Sequence, residues 1–224
     1  MSEFKSILDF YKKPTTQFQL DSFRKRVKDF FENNPAFHNH SSIVHSVKSR
    51  LKDVNHLEKK LVRKTKEKKI ELTTENLFAE ITDLIGVRVL HLYFDQFSII
   101  HKEIMKQIEN GEWTLFEPPK AYTWDPDMSD EFEKFGIKTN RKDSYTSVHY
   151  VIKPNSKENA FCCEIQVRTL FEEIWGEIDH SINYPVKTSS IACAEQLKVL
   201  SKLTSTGTRL ADSIFRSHED HNKD

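Results

Sequence analysis

Glycine is scarce in this chain, five residues in 224. None falls into the spacing G-x-x-x-x-G-K-[ST] or G-x-G-x-x-G, which argues against a phosphate-binding glycine loop and leaves any phosphate to be held by side chains. Cysteine is sparse too. Cys162, Cys163 and Cys193 are odd in number, two are adjacent and none has metal-ligand spacing, which argues against a disulfide framework or a zinc site and leaves buried thiols. Net charge is absent: thirty-four Lys and Arg face thirty-four Asp and Glu. Bulk attraction to nucleic acid or membrane is therefore not implied, and a polyanion site must be a local patch. No apolar run approaches the roughly 18 residues of a membrane span, and Met1 to Lys5 lacks the basic and then apolar order of a signal peptide. The expectation is a soluble, cytoplasmic protein with no membrane partner.

What is present is a 37% hydrophobic content, enough for a real core in one α/β domain with helical additions. Phe18, Phe23, Val27, Phe30 and Phe31 predict an amphipathic helix that stops before the turn signal Asn33-Asn34-Pro35. A second helix is expected to start at Ser41 or Ser42 and run through Ile43, Val44, Val47, Leu51, Leu57 and Leu61, with a basic opposite side. Residues 64–69 form a charged link, and residues 73–78 a short helix that leads past Asp83 into a strand over Gly86–Leu92. A helix over Gln96–Glu109, a strand over Trp113–Phe116 and a Pro-, Asp- and Glu-rich loop from Glu117 to Lys134 follow, the loop long enough to act as a lid. Strands over Thr146–Lys153 and Ala160–Arg168 flank a turn at Pro154–Asn159, and helices cover Leu170–Tyr184 and Ile191–Arg216. Leu197, Leu200, Leu203, Leu210, Ile214 and Phe215 in the last helix suit either a cover for the core or a contact between subunits.

Four groups of residues can carry chemistry. Glu164, Gln166 and Arg168 alternate with Cys163, Ile165 and Val167, so a strand puts an acid, an amide and a base on one face and an apolar row on the other. A solvated face accounts for this; so does a site where the carboxylate takes a metal and the guanidinium a phosphate. Lys52, His56, Lys60 and Arg63 recur at the spacing of one helix face, with Arg50 and Lys64 beside them, and fit a solvated face or a cationic rail for a triphosphate equally well. Asp83 is either a local turn or cap residue or a magnesium ligand. Tyr145, Ser147 and His149 share one strand face, as half-buried positions or as a base-stacking ring beside a phosphate-binding imidazole. Trp175 and His180, on the helix behind, are expected to pack and cap.

Taken in order, these segments resemble the synthetase domain of the RelA/SpoT homolog family, and most closely its short stand-alone members, the small alarmone synthetases. The resemblance covers roughly Ser42 to Tyr184 and rests on several separated motifs. Residues 49–60, beginning Ser49-Arg50-Leu51-Lys52, are similar to G-R-x-K-x-x-x-S-I-x-x-K, with Ser49 in place of the glycine and His56 in place of the serine. The match implies that Arg50, Lys52 and Lys60 bind the phosphates of ATP. Residues 83–88 resemble D-[LI]-x-[GA]-[IVL]-R, which implies Asp83 as the Mg2+ ligand and Arg88 on the ATP side. Residues 141–149 resemble K-x-x-G-Y-x-S-x-H, with Ser144 in place of the glycine. Tyr145 is thereby implied to stack on the acceptor guanine, with Ser147 beside it and His149 contacting the acceptor phosphates. Residues 164–168 reproduce E-[IV]-Q-[IV]-R, implying Glu164 as metal ligand or general base and Gln166 and Arg168 as groups that shape the acceptor site.

The resemblance further implies a mixed β-sheet of about five strands with helices packed on it, akin to nucleotidyltransferases. It implies transfer of the β,γ-pyrophosphate of ATP to the 3′-hydroxyl of GDP or GTP. Residues 1–41 are then an N-terminal helical segment, 42–184 the synthetase domain and 185–224 a helical tail able to join copies into a homo-oligomer. Long family members carry an amino-terminal hydrolase with a His-Asp motif; only about forty residues precede the synthetase segment here, and Asp179-His180 has the reverse order, so no hydrolysis of the product is expected. Some small relatives instead modify the 3′ end of tRNA or an adenine nucleotide and pair with an antitoxin. A tRNA acceptor would need a basic approach surface, for which Lys12, Lys13, Arg24, Lys25, Arg26 and Lys28 are candidates. A non-catalytic nucleotide- or RNA-binding module is a third possibility, which the acid pair argues against, since a binding module needs no metal ligands.

Overall fold

Strand β1 (Ser46–Leu51) forms one edge of a six-stranded mixed sheet and runs antiparallel to β2 (Ile85–His91). Inward from there β2 lies parallel to β6 (Cys163–Thr169), β6 antiparallel to β5 (Ser147–Pro154), β5 antiparallel to β3 (Trp113–Thr123), and β3 parallel to β4 (Lys138–Arg141) at the far edge. The computed structural model describes residues 4–38, 42–156, 161–184 and 186–222. The mixed α/β architecture is the expected one, with six strands rather than about five. Among the described residues, no helix is long and apolar enough to cross a membrane.

The period-two alternation of the central strands decides which face is which. Val87 and Val89, Ile165 and Val167, and Val148, Tyr150 and Ile152 are all buried on one side, under α2 (Pro14–Asn33) and α5 (Gln96–Glu109). Helix α2 meets the sheet with Thr16, Leu20, Phe23, Val27 and Phe31, a stripe at helical spacing. Phe18 is not part of it: at 73% exposure it points to solvent, contrary to the expectation from periodicity. A preceding helix, α1 (Lys5–Lys12), lies within the expected N-terminal helical segment, where no separate helix is predicted; it buries Ile7, Leu8 and Tyr11, and the Tyr11 hydroxyl donates to the Lys52 carbonyl at 2.6 Å.

Three segments depart from expectation for identifiable reasons. In place of one helix over residues 43–61 the chain forms β1 and then α3 (Val54–Lys68). Val47, Leu51, Leu57 and Leu61 fit a helical period, but Asp53 interrupts it: its carboxylate accepts from the Asn55 and His56 amides at 2.9 and 3.1 Å and so starts a new helix there. Ser41 lies outside the described residues, and Ser42 caps nothing, its hydroxyl donating to the Val44 carbonyl at 2.9 Å. The expected lid at 117–134 is not a loop. β3 continues to Thr123 through register shifts around Glu117 that accommodate Pro118 and Pro119, which lack amide donors, and α6 (Pro126–Lys134) follows with Asp125 as its cap. Strand β4 is short and polar, without apolar alternation, and was missed. Of the expected turn at 154–159, residues 157–159 lie outside the described residues, as does Ala160.

Helix α7 (Leu170–Asn183) begins directly where β6 ends, with the Thr169 hydroxyl accepting from the Glu172 amide at 3.3 Å. The last helix, α8 (Ile191–His221), has its polarity inverted. It packs on the domain with Leu197 and with Ser201, Thr204, Ser205, Thr208 and Asp212, while Val199, Leu203, Leu210 and Ile214 face outward. Small residues permit the close approach: a Cβ on Gly207 would lie 2.7 Å from the Phe171 ring. Of the thiols, Cys162 and Cys163 are buried, whereas Cys193 is only half-buried.

Candidate active site

The face of the sheet opposite α2 carries the polar rows. Register aligns Arg50, Gly86 and Glu164 across β1, β2 and β6, and in the next row Lys48, Arg88, Gln166 and His149 across β1, β2, β6 and β5. Residues paired in this way sit side by side, so segments far apart in the chain are brought into one group. Gly86, without a side chain, leaves a gap between Arg50 and Glu164. That gap is the floor of a cavity of about 310 Å³ lined by Lys48, Arg50, Asp83, Arg88, Glu164, Gln166, Glu177 and His180. A second cavity of about 320 Å³ adjoins it, sharing Arg50, Asp83 and His180, and is walled by Lys52, His56, Lys59, Lys60, Arg63 and Tyr184. Together they have the size of a nucleotide site.

Asp83 sits between the two cavities, on the turn from α4 (Leu77–Glu80) into β2. Its Oδ2 accepts from Lys52 and Lys60 at 2.9 and 2.7 Å. Burial pushes its carboxyl up, but the two ammonium groups outweigh burial and hold its pKa below the usual value. Oδ1 is buried with no hydrogen-bond partner among the described residues. Such an oxygen has a desolvation cost that a cation would relieve.

Glu164 faces Asp83 across the first cavity. Burial raises its pKa and the Asp83 charge adds to that, but the His149 contact at 3.3 Å and the Gln166 amide, donating at 2.7 Å, bring it below the ordinary value. A carboxylate only accepts, so in the neutral ring His149 Nδ1 carries the proton, and Nε2 accepts from the Tyr145 hydroxyl at 3.1 Å. Tyr145 and Glu164 are thus linked through one imidazole. Asp83 and Glu164 offer hard oxygens fit for a magnesium ion, which takes one or two carboxylates and completes its shell with phosphate and water. Among the described residues, no three His, Cys, Asp or Glu side chains gather into a metal site.

The cations near the carboxylates are organised by α7. Glu173, only 4% exposed, receives Lys48 at 2.8 Å, Arg88 at 3.3 Å and Arg168. Burial would raise its pKa; Lys48, Arg168 and Arg88 prevail and keep it low. Arg88 is also held by Glu177 at 2.5 Å. Arg50 is exposed and makes no ion pair among the described residues, leaving its guanidinium available to the cavities.

The structure brings together Arg50, Lys52, Lys60, Asp83, Arg88, Glu164 and Gln166, with His149 and Tyr145 one hydrogen bond further out. It leaves Ser147 away from the opening: that residue is 1% exposed, and its hydroxyl donates to the Val167 carbonyl at 3.3 Å. Arg168 is likewise buried, against Glu173. Lys64 turns aside to Glu80. Trp175 packs, its indole donating to the Leu197 carbonyl at 2.9 Å, whereas His180 lines both cavities, stacked on Tyr184 at 4.6 Å. Glu173, Glu177 and Lys48 were missed from sequence. Glu173 is a first-turn acid that suits the helix dipole, and only the fold sets it and Glu177 against Arg88.

Over residues 49–189 the chain matches the family described as the region found in RelA / SpoT proteins. The GTP pyrophosphokinase YwaC of Bacillus subtilis is 25% identical over 191 residues, covering 82% of this chain and 80% of that protein. The small alarmone synthetase 1 from Bacillus subtilis superposes with a TM-score of 0.72 at 17% identity, covering 94% of this chain and 99% of that one. Its structure bound to its product pppGpp gives 0.67 at 18% identity, over 93% and 96% of the two chains. Its structure bound to AMPCPP gives 0.63 at 17%, over 91% and 94%. At these identities the structural likeness speaks for the fold.

Proposed function

The chain belongs to the RelA/SpoT family, and on that premise we propose that it is a pyrophosphokinase that moves the β,γ-pyrophosphate of ATP to the 3′-hydroxyl of GDP or GTP, releasing AMP. One observation carries this: Asp83 and Glu164, from separate segments, line a single cavity ringed by cations. Relatives of the same fold are named for this chemistry, and one of them is described with its product pppGpp.

Phosphoryl transfer asks the protein for positioning and charge rather than covalent chemistry. Lys52 and Lys60 have their ammonium groups beside Asp83, where triphosphate oxygens can take them over, and Arg50 and Arg88 extend the cationic wall. A magnesium ion held by Asp83 and Glu164 would supply further neutralisation of the phosphate charge. In this reading Glu164 accepts the proton of the acceptor hydroxyl; the contacts of Gln166 and His149 with its two oxygens, which fix its orientation, support the role. Tyr145 offers the aromatic surface for the acceptor base. His149, bridging Tyr145 to Glu164, supports the geometry of both.

The synthetase unit in this proposal spans residues 42–184, without hydrolase activity, and works in the cytoplasm alongside its nucleotides. The outward stripe of Val199, Leu203, Leu210 and Ile214 on α8 favours a homo-oligomer through the C-terminal helices. A tRNA acceptor has less support. Arg24 and Lys25 are bound to Asp21 and Lys28 to Glu32, so much of the basic α2 face is already neutralised. The test is purified protein with β,γ-labelled ATP and magnesium, offered GDP, GTP, ADP and tRNA in parallel. Label is expected on the guanine nucleotides; label on tRNA or ADP alone would redirect the acceptor, and no AMP with any acceptor would overturn the proposal.

A further inference from the structure

The aromatic face assigned to the acceptor base is already covered. Lys142 Nζ stands 3.9 Å from the centre of the Tyr145 ring and 5.8 Å from that of Tyr122. Stacked aromatic groups approach to about 3.5 Å, so this ammonium fills the layer that a nucleobase would enter. The position follows from the turn that joins β4 to β5. Tyr145 N–H donates to the Lys142 carbonyl at 3.4 Å, and Ser144 takes a left-handed conformation at φ 56°, which folds residues 142–145 back on themselves and lays the lysine over the ring. Among the described residues, no carboxylate forms an ion pair with Lys142, although Arg24, Lys48, Lys52, Lys60 and Arg88 all have one. It is a charged donor held over a stacking surface by the two rings, with the charges of Glu164 and Asp179 acting on it from a distance.

We propose that Lys142 selects the acceptor base: it caps Tyr145 in the empty protein, moves to the edge of the arriving base, and donates there to the 6-carbonyl oxygen, so that guanine is taken and adenine refused. This rests on the pyrophosphokinase function proposed above. A stacking base must displace the ammonium, and the ammonium then needs a new partner. Guanine offers two acceptors along one edge, O6 and N7, whereas adenine replaces O6 by an amino donor. Lysine has three donors and no acceptor, so only the keto edge satisfies it fully. A hydrogen bond to a charged group typically separates such ligands by about ten- to a hundred-fold.

The experiment compares the wild type with Lys142→Met and Lys142→Arg, using labelled ATP as donor and guanosine, inosine and adenosine diphosphates as acceptors. Lys142→Met keeps an unbranched side chain one atom shorter and removes the charge; the residue is exposed, so the melting temperature should hold. Expected is a fall of about ten-fold or more in the guanosine-to-adenosine ratio of kcat/KM, through a higher KM for the two keto acceptors, with the KM for donor ATP unchanged and the arginine variant close to wild type. An unchanged ratio in Lys142→Met, with the wild type still labelling guanosine diphosphate, overturns the role of Lys142 alone. A wild type that labels no nucleotide overturns the pyrophosphokinase proposal and this inference with it. A wild type that prefers adenosine diphosphate refutes the direction of selection.

Discussion

Replacing Asp83 by Asn changes one charge where three meet. Its Oδ2 accepts from Lys52 and Lys60, whose side chains are only 10% and 23% exposed, so both ammonium groups would lose their counter-ion in a poorly solvated place. Removing one partner of a buried ion pair costs about 3–5 kcal/mol, and the residual exposure of the lysines points to the lower end, about 3 kcal/mol. For a chain of this size that corresponds to a fall of roughly 6–12 °C in Tm at neutral pH, readable by calorimetry. The pH dependence has a definite sign. Because the folded-state pKa of Asp83 is depressed, its contribution is present above the unfolded value of 3.8 and is lost as pH falls through the lower folded value. The melting curves of wild type and variant should therefore stay apart at neutral pH and converge only in strong acid. ATP without added metal should raise Tm more in the variant, whose lysines are free for phosphate and whose cavity has lost an opposing negative charge. An Asp83→Asn protein that melts with the wild type at neutral pH would refute the pairing.

Other residues yield simpler expectations. Tyr145→Ala should raise the acceptor KM by about ten- to a hundred-fold and leave the donor KM alone, because base stacking on an aromatic ring contributes about 1–3 kcal/mol; steady-state kinetics with each substrate varied in turn checks this. Ser144→Gly should stabilise the protein by about 1 kcal/mol in denaturant titration, since a non-glycine residue at φ 56° is disfavoured by roughly that amount. Glu172 is buried, and burial raises its pKa from 4.5 to about 8, so it folds as the neutral acid. The stabilisation it lends is fully present below pH 4.5 and is lost as pH rises through 8, so Glu172→Gln, which does not titrate, should gain in Tm over the wild type across that interval; parallel curves would contradict the burial argument.

Much of this was open to reading along the chain. Strands β2, β5 and β6 each keep one face buried and apolar, which made them legible, and the same alternation put Glu164, Gln166 and Arg168 on one side; Leu90 and Val151 on the opposite face are buried as well. It could not show that Arg168 ends up buried against Glu173, nor that Ser147 turns to its neighbouring strand, because accessibility depends on what packs above the sheet. β1 was misread as helix since Val47 and Leu51 are also one helical turn apart; the decisive signal was Asp53, a good cap in the middle of the supposed helix. Pro118 and Pro119 read as loop because their accommodation in β3 needs a local irregularity that no propensity announces. Glu177 and Lys142 carry no pattern of their own and acquire meaning only from the groups they face.

The most direct test is single-turnover AMP formation with ATP, magnesium and GDP, comparing wild type with Glu164→Gln after both have been shown to melt alike. If Glu164 takes the proton of the acceptor hydroxyl in the cavity it shares with Asp83, the variant should lose about 10²- to 10⁴-fold in rate while still binding both nucleotides. A folded Glu164→Gln protein that forms AMP and guanosine product at close to the wild-type rate would contradict the account.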